Sequence, residues 1–419
     1  MMRALRKSWW VFILATIVFL CGTATGFAQA RSTIWQAFGS EFFTGDHFSN
    51  NFWSLHDTLK ENYGLIFEIV SLQDFFWNTH GGIKTHDSGE YPRLIGFYFE
   101  LDTEKAGLWR NGTLFASFEI ARGHSPTERS VGDWQWLSNI DGENINQISE
   151  LWYRHGFFDD RLWIKLGKME GNYDFSSIEY GLEFIHSSAG YVLTIPMVTY
   201  PDQDWGAVIG TRPLDWFSMN FGVYQGDING SRSLGHTIGN LRGPMVIGEP
   251  TFHYTVAGKP GSLGIGGWWN GRRFEAYHEQ RYRHRFHGKS AGWYVTLEQT
   301  LWRENPQTEG CEQGIGLFAQ YGWAPKDRSE VEDALSIGLQ WTGALPGRDE
   351  DALGLGAFTV WFSDKAGFDE RYETAFEFFY KAQVFGWLAV KPDMQYIVNP
   401  GGTKRDNALA LGGRLEIVF

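Results

Sequence analysis

The sequence predicts an all-β fold: a transmembrane antiparallel β-barrel of about 16 strands with a short N-terminal helical segment. The last eleven residues alternate between an apolar face and a face that carries Arg414 and Glu416, as a strand between lipid and water does. Aromatic residues make up 17% of the chain and 51 of its 419 residues are glycine, which suits aromatic girdles and crowded wall positions. Long and short connections alternate along the chain, as in outer-membrane barrels. A soluble sandwich or jelly roll is the alternative, but it gives no reason for this alternation.

Residues 1–30 are interpreted as an export signal outside the fold. A basic stretch from Arg3 to Lys7 precedes an apolar run from Trp9 to Leu20, and Ala28-Gln29-Ala30 is a small-residue cleavage site. Removing this segment lowers the formal charge from −13 to −16, because it takes three basic residues and no acidic ones. It also leaves Cys311 as the single cysteine. We therefore expect an exported, acidic protein that has no disulfide and binds no nucleic acid.

Residues 31–64 are predicted to form an N-terminal segment, followed by the barrel over 65–419. Ser54 is the expected N-cap of a short helix, with Asp57 three residues later and the helix end near Gly64. We expect this segment inside or beneath the barrel mouth. From Leu65 onward the apolar residues recur at period two, as in strands.

The sixteen predicted strands fix the side on which each connection lies. They span 65–75, 92–101, 112–122, 146–156, 161–168, 204–212, 215–226, 250–257, 261–270, 290–301, 313–323, 333–342, 352–362, 371–382, 387–398 and 408–419. An even number of antiparallel strands brings both chain ends to the periplasmic side, so the odd-numbered connections should be external. These are the long ones, at 76–91, 123–145, 169–203, 227–249 and 271–289. Connection 169–203 is the longest and the expected constriction, unless it folds outward as a surface loop.

The charged face of each strand is predicted to line the lumen, where it mixes both charge signs with aromatic rings. The predicted lumen contacts are Glu68, Glu119, Glu150, Trp152, Arg154, Trp163, Lys165, Glu373, Glu377 and Lys381. The same alternation places Arg161, Glu298, Arg371, Lys391 and Asp393 inward. Any water-filled barrel needs polar residues, so for each residue a purely structural role is the alternative.

This mixture indicates a path for sugars. An ion-selective pore shows a ring of one charge sign, whereas sugars need hydrogen-bonding groups beside aromatic platforms. Trp152 and Trp163 lie on adjacent predicted strands and can form such a platform. Stacking with a few hydrogen bonds of about 1 kcal/mol each gives the weak affinity that a channel requires. We therefore predict a porin for mono- and small oligosaccharides in the cell outer membrane, without catalysis, cofactor or metal.

Three other functions are weighed against this prediction. A general ion or small-solute porin without a sugar site is the closest alternative. An outer-membrane enzyme would need a nucleophile and a base in register, and the predicted strands show no inward Ser–His pair at suitable spacing. A soluble periplasmic lectin or glycosidase would also account for the tryptophans and carboxylates.

The remaining signals concern partners. Loop 271–289 is strongly basic and is suited to lipopolysaccharide phosphates or anionic solutes, or it is simply solvated. Its residues His278, His284 and His287 lack a metal-binding spacing. The terminal Phe419 is typical of a closing strand that the barrel-assembly machinery recognises. The expected partners are sugars, outer-membrane lipid and this machinery, and an oligomer is left open.

Several segments carry a family resemblance. They are Phe43–Asp46, Leu55–Leu59, Leu101–Trp109, Ser138–Asp141, Glu150–Tyr153, Gly167-Lys168 with Asn172, Phe184–Ser188, Ala344–Arg348 and Pro392–Gly402. In order along nearly the whole mature chain, they resemble the carbohydrate-selective porins, often called OprB-type porins. The resemblance implies a sixteen-stranded outer-membrane barrel through which small sugars diffuse. His56 stands where the family pattern usually has Arg, and Glu170 where it has Asp. If that Arg lines the entrance, His56 makes the contact pH-dependent or loses it.

Overall fold

The computed structural model describes residues 48–142, 144–226, 243–277, 285–305 and 313–419. The predicted export signal, Cys311, His278 and His284 lie outside the described residues. No helix in the described ranges is both long enough and apolar enough to cross a bilayer.

Sixteen antiparallel strands form one closed sheet, which confirms the predicted fold class. They are β1 Leu65–His80, β2 Arg93–Asp102, β3 Gly112–Arg122, β4 Ile145–Phe157, β5 Leu162–Met169, β6 Asp204–Leu214, β7 Phe217–Gln225, β8 Pro244–Val256, β9 Lys259–Ala276, β10 Arg285–Arg303, β11 Gly314–Trp323, β12 Val331–Thr342, β13 Ala352–Phe362, β14 Tyr372–Phe385, β15 Leu388–Val398 and β16 Ala408–Val418. The strands pair in sequence order, and β1 closes the sheet by pairing with β16, where Val70 lies opposite Val418. A two-residue strand, Gly89–Glu90, adds to the edge of β1.

All sixteen predicted strands are present, but four are much longer than predicted, namely β1, β8, β9 and β10. β9 continues to Ala276 and β10 begins at Arg285, so much of the predicted loop 271–289 is an extended hairpin. These strand ends are polar and basic, and alternation of apolar residues cannot mark them. Backbone pairing of Arg273 with Gly288 continues regardless of side-chain polarity.

The chain divides into two compact units, one of residues 48–67 and 98–115 and one of residues 68–97 and 116–419 among those described. In the smaller unit, helix α1 spans Phe48–Tyr63. Ser54 lies within this helix, so the prediction of Ser54 as N-cap is wrong. The apolar positions 48, 52, 55 and 59 follow one helical stripe, which continues N-terminal to Ser54. The helix ends at Gly64, which has φ +65° and whose carbonyl accepts a hydrogen bond from Asp102 N at 2.8 Å.

In the larger unit the chain end is fixed by backbone pairing. Ile69 N donates to Phe419 O at 2.8 Å, and Phe419 N donates to Ile69 O at 2.9 Å. The Phe419 ring stacks on Trp387 with the ring centroids 5.6 Å apart. On the opposite face of β16, Arg414 pairs with Asp74 through Nε and Oδ1 at 2.7 Å. The last strand therefore places its apolar and its charged residues on opposite faces of the sheet, as predicted.

Connection 170–203, here named the inner loop, folds into the barrel. Its backbone hydrogen-bonds to side chains of β10 and β14, which lie several strands away around the sheet from β5 and β6. Its side chains Phe175, Phe184 and Ile185 are fully buried. The alternative of an outward-folded loop is therefore wrong.

Wall glycines make room for the rings of the inner loop. A Cβ atom built on Gly316 would lie 2.1 Å from the ring of Tyr180, and one on Gly356 would lie 2.7 Å from the ring of Phe184. Both distances are below van der Waals contact, so neither site can hold a side chain while the loop stays in place. These wall glycines thus leave the space in which the rings of the inner loop pack.

Candidate functional site

Carboxylates of the barrel wall hold the inner loop by its backbone. Glu377 is buried and accepts hydrogen bonds from Ile185 N at 2.7 Å and His186 N at 3.0 Å. Two further wall carboxylates act in the same way. They are Glu298, which accepts from Tyr180 N at 2.9 Å, and Glu249, which accepts from Ser176 N at 2.8 Å. Carboxyl oxygens have several acceptor positions and each of these three groups receives a backbone N–H of the loop, so these side chains are the anchors of the loop.

The preceding long connection is held in the same manner. Glu373 accepts hydrogen bonds from Trp134 N at 2.7 Å and Gln135 N at 3.0 Å, and it also accepts one from Gly401 N. We name residues 123–142 the second loop. Glu373 and Glu377 were predicted as lumen contacts, and the structure places their oxygens against loop amides. Alternation reveals the side of a strand to which a residue points, but not what fills the space there.

A four-residue ion network fixes the tip of the inner loop. Glu183 accepts from Lys381 at 2.7 Å and from Lys391 at 2.9 Å. Glu416 lies 2.8 Å from Lys391 and 3.4 Å from Lys381. Burial by itself would raise the pKa of Glu183, but the two ammonium groups outweigh it and lower the pKa to about 2. We name this network of Glu183, Lys381, Lys391 and Glu416 the latch, because it joins the inner loop to the wall. The two glutamates balance the charge of Lys381 and Lys391.

A different arrangement occupies β4 and β5, where Arg154 and Lys165 lie opposite each other in the ladder, between the two predicted tryptophans. We name Trp152, Arg154, Trp163 and Lys165 the aromatic patch. The guanidinium of Arg154 lies 5.1 Å from the ring centroid of Trp163, and Lys165 Nζ lies 5.2 Å from that of Trp152. Both indoles are half-buried. The Trp163 ring also rests on Gly210, where a Cβ atom would lie 2.1 Å from it.

Each cation of the aromatic patch has an acidic partner. Arg154 Nη2 lies 2.6 Å from Asp160 Oδ2. Lys165 is paired with Asp174 of the inner loop. Burial raises the pKa of Asp174, although Lys165 acts in the opposite direction. The patch therefore presents aromatic surface and polar groups with little net charge.

The remaining predicted residues have separate places. Glu150 accepts from Glu170 N at 3.1 Å, and Glu119 accepts from the Ser149 hydroxyl at 2.5 Å, whereas Glu68 is exposed. Glu170, one of the two family departures, accepts from Tyr200 N at 3.1 Å and so closes the base of the inner loop. In the smaller unit, His56 packs edge-on against Phe67 at 6.0 Å.

The expectation that no inward Ser–His pair exists is wrong. Ser218 Oγ on β7 lies 2.9 Å from His253 Nε2 on β8. His253 shares its strand face with the buried Glu249, and Met219 beside Ser218 points the other way. In the described part of the chain, however, no carboxylate contacts His253 as the third member of a hydrolase triad would. Bulge-free pairing of neighbouring strands was enough to bring the two together, so a register prediction could have found them.

Comparison with known proteins gives a consistent result. A model of the family "Carbohydrate-selective porin, OprB family" matches residues 87–419. Porin B of Pseudomonas aeruginosa is 23% identical over 440 residues, covering 91% of this chain and 94% of the relative. A putative porin QuiX of Acinetobacter baylyi is 20% identical over 406 residues, covering 86% and 90%.

Solved structures agree on the fold. The high-pH structure of OprB from Pseudomonas putida superposes with a TM-score of 0.78 at 20% identity, covering 87% of this chain and 96% of that one. The low-pH structure of the same protein gives a TM-score of 0.56 at 16% identity.

Proposed function

Because the chain belongs to the OprB family of carbohydrate-selective porins, we propose that sugars diffusing through this outer-membrane channel pass along the aromatic patch. The single observation that carries this proposal is the patch itself: two half-buried indoles on adjacent strands, each beside a charge-paired cation. The inner loop faces the same wall through the pair of Asp174 and Lys165. Sugars moving past it would meet the constriction between loop and patch.

Charge pairing favours neutral substrates. Arg154 pairs with Asp160, and the latch combines two lysines with two glutamates. A pore that selects ions carries a ring of one sign, and these pairs cancel such a field. Hydroxyl groups of a sugar can still hydrogen-bond to paired charges, since a guanidinium has five N–H donors.

The movement of Arg154 would accompany sugar stacking. Its guanidinium lies over Trp163, so an apolar sugar face reaches that ring only when the side chain shifts. The partner Asp160 is 58% exposed, and exposed pairs of this kind contribute only about 0–1 kcal/mol. A shift of Arg154 is therefore cheap, and the patch can bind and release sugars quickly.

The chain ends complete the proposal. Residues 1–30 would direct export and be removed, residues 31–64 would lie at the barrel mouth, and 65–419 form the barrel with its long connections outside. The assembly machinery would recognise Phe419 before its ring stacks on Trp387. The basic hairpin around 271–289 would meet lipopolysaccharide phosphates.

A general small-solute porin is the second candidate, and one observation favours it. Glu373 and Glu377, which would be strong sugar acceptors, are occupied by loop amides. The channel would then sort solutes by size alone.

Swelling of proteoliposomes separates the two. We expect glucose to enter faster than glucuronate, its carboxylate, because an anion loses hydration beside the half-buried indoles and the charge-paired cations do not compensate for this loss. Trp152→Ala should slow glucose entry at low glucose concentration. The control is Trp341→Ala on β12, a tryptophan outside the aromatic patch, which should leave glucose entry unchanged. Equal entry of glucose and glucuronate in every variant would leave only a general porin.

A further inference from the structure

A cavity with a mixed polar and apolar lining opens on the outward face of the barrel. It has a volume of about 210 Å³, and Gln73, Tyr91, Arg93 and Arg122 form part of its lining on β1 to β3 and the segment before β2. On β1 the inward positions include Asp74, which is fully buried, while Phe75 and Trp77 on the cavity face are 40% and 52% exposed. The cavity therefore faces the membrane and not the lumen.

Among the described residues, neither of the two guanidinium groups that line this cavity has an acidic partner. In the part of the chain that the structure describes, the acceptors of Arg122 are neutral oxygens: Ala121 O at 2.6 Å, Ile145 O at 2.7 Å and Asn146 Oδ1 at 2.7 Å. Arg93 is exposed, and in the described ranges it contacts only the ring of Tyr91, at 5.8 Å. A cation on the lipid face has an unfavourable free energy that is largest at mid-membrane and small near the interface. A neighbouring anion would remove this cost.

The two arginines lie at strand ends and not in the middle of the barrel wall. Arg93 begins β2 and Arg122 ends β3, so both lie at the barrel end that carries the long connections. Ile95 and Ile120, which also line the cavity, lie two residues farther toward the middle of the barrel, or about 7 Å. The arginines lie nearer the rim and the isoleucines nearer the middle of the barrel. This order is complementary to a lipid with an anionic head group and an apolar acyl chain.

We propose that this cavity binds a phosphate-bearing lipid of the leaflet on the long-connection side. The guanidinium groups of Arg93 and Arg122 hold the phosphate, since planar guanidinium forks match phosphate oxygens. The first acyl chain runs along Ile95 and Ile120. The site is separate from the lumen and does not depend on the sugar path.

Native mass spectrometry of the mature full-length protein in detergent tests this, with diphosphorylated lipid A as the probe. We expect one retained lipid in the unmodified protein and at least a fivefold weaker apparent affinity in Arg93→Gln/Arg122→Gln. Arg405→Gln, at the same end of the barrel but outside the cavity, is the matched control and should bind as before. Heat-modifiable gel mobility establishes that each variant is folded.

Three results would overturn the proposal. Equal binding of dephosphorylated lipid A would show that the arginines do not read phosphate. Full displacement by millimolar inorganic phosphate would mark a site for the free ion. Unchanged lipid binding with a smaller oligomer in light scattering would mean that the cavity contacts a second copy of the chain. Sugar-dependent current should be normal in the double variant, so failure here leaves the sugar path untouched.

Discussion

The walls formed by β4–β5 and by β14–β15 carry the same inward alternation of charges and aromatics, yet they use it differently. On β14 and β15, Glu377 binds loop amides and Lys391 belongs to the latch around Glu183. On β4 and β5, Trp152 and Trp163 stay half-buried, and Arg154 has an exposed partner. The wall of β14–β15 is the main support of the inner loop, and we propose that the wall of β4–β5 is the surface that solutes reach. The same alternation of charged and aromatic residues can therefore support a loop on one wall and, as proposed, bind solutes on another.

The largest expected effect comes from removing the foundation. Glu377→Ala leaves the buried Ile185 and His186 N–H groups without their acceptor, at about 1–3 kcal/mol for each group. We expect a lower melting temperature and a larger single-channel conductance, because the inner loop no longer stays against β14. Glu350→Gln, an exposed control, should change neither quantity. If Glu377→Ala lowers the melting temperature but leaves the conductance unchanged, then Glu377 does not hold the inner loop in the channel, and the proposed difference between the two walls is contradicted.

The latch gives the next effect, through pH. The pKa of Glu183 is lowered from 4.5 to about 2, which corresponds to about 3 kcal/mol. Because the folded-state pKa is depressed, this stabilisation is present above pH 4.5 and is lost as the pH falls toward 2. Conductance recorded from pH 6 to pH 3 should become larger or noisier in the unmodified protein. Glu183→Gln should show the low-pH behaviour already at pH 6, and a pH response identical to that of the unmodified protein would contradict the latch.

The second loop should respond at the opposite end of the pH scale. Burial first and the charge of Glu373 second raise the pKa of Asp133 from 3.8 to about 8. Because the folded-state pKa is raised, stability declines as the pH rises toward 8. Protease cleavage within residues 123–142 should therefore increase between pH 5 and pH 8. Asp133→Asn should remove this increase, and an increase of the same size in both proteins would exclude Asp133 as its source.

The smallest effect sharpens the description of the path. Asp160→Asn releases Arg154 from an exposed ion pair of about 0.2–1 kcal/mol. If Arg154 must move for a sugar to stack on Trp163, the half-blocking sugar concentration should fall by about 1.5- to 5-fold. Titration of single-channel current with maltotriose measures it. A weaker block would mean that the paired arginine, and not the uncovered ring, holds the sugar.

The sequence was sufficient for the strands because each of them borders lipid on one face. Leu411 and Leu415 of β16 had to alternate with Arg414, and the same constraint holds around the sheet. It weakens where strands leave the membrane, which is why the ends of β9 and β10 were missed. It also fails for α1, whose apolar stripe begins before the expected cap at Ser54.

The interior could be predicted only in part. Alternation placed Trp152 and Trp163 on the same inward face of neighbouring strands, but only the register shows that Arg154 and Lys165 lie between them. The pairing of Glu377 with Ile185 joins residues 192 apart in sequence, and no local period encodes it. Gly316 beneath Tyr180 is a similar case, because a glycine in a strand signals a close approach without naming its partner.

The most direct test of the two walls is sugar block of single-channel current in a planar bilayer, measured side by side for three variants. Trp152→Ala and Trp163→Ala should raise the half-blocking maltotriose concentration at least fivefold and leave the unblocked conductance close to that of the unmodified protein. Glu377→Gln should change the conductance more than the sugar affinity. Tryptophan variants that are blocked like the unmodified protein, with the loss of block appearing in Glu377→Gln, would contradict the assignment of the path to β4 and β5.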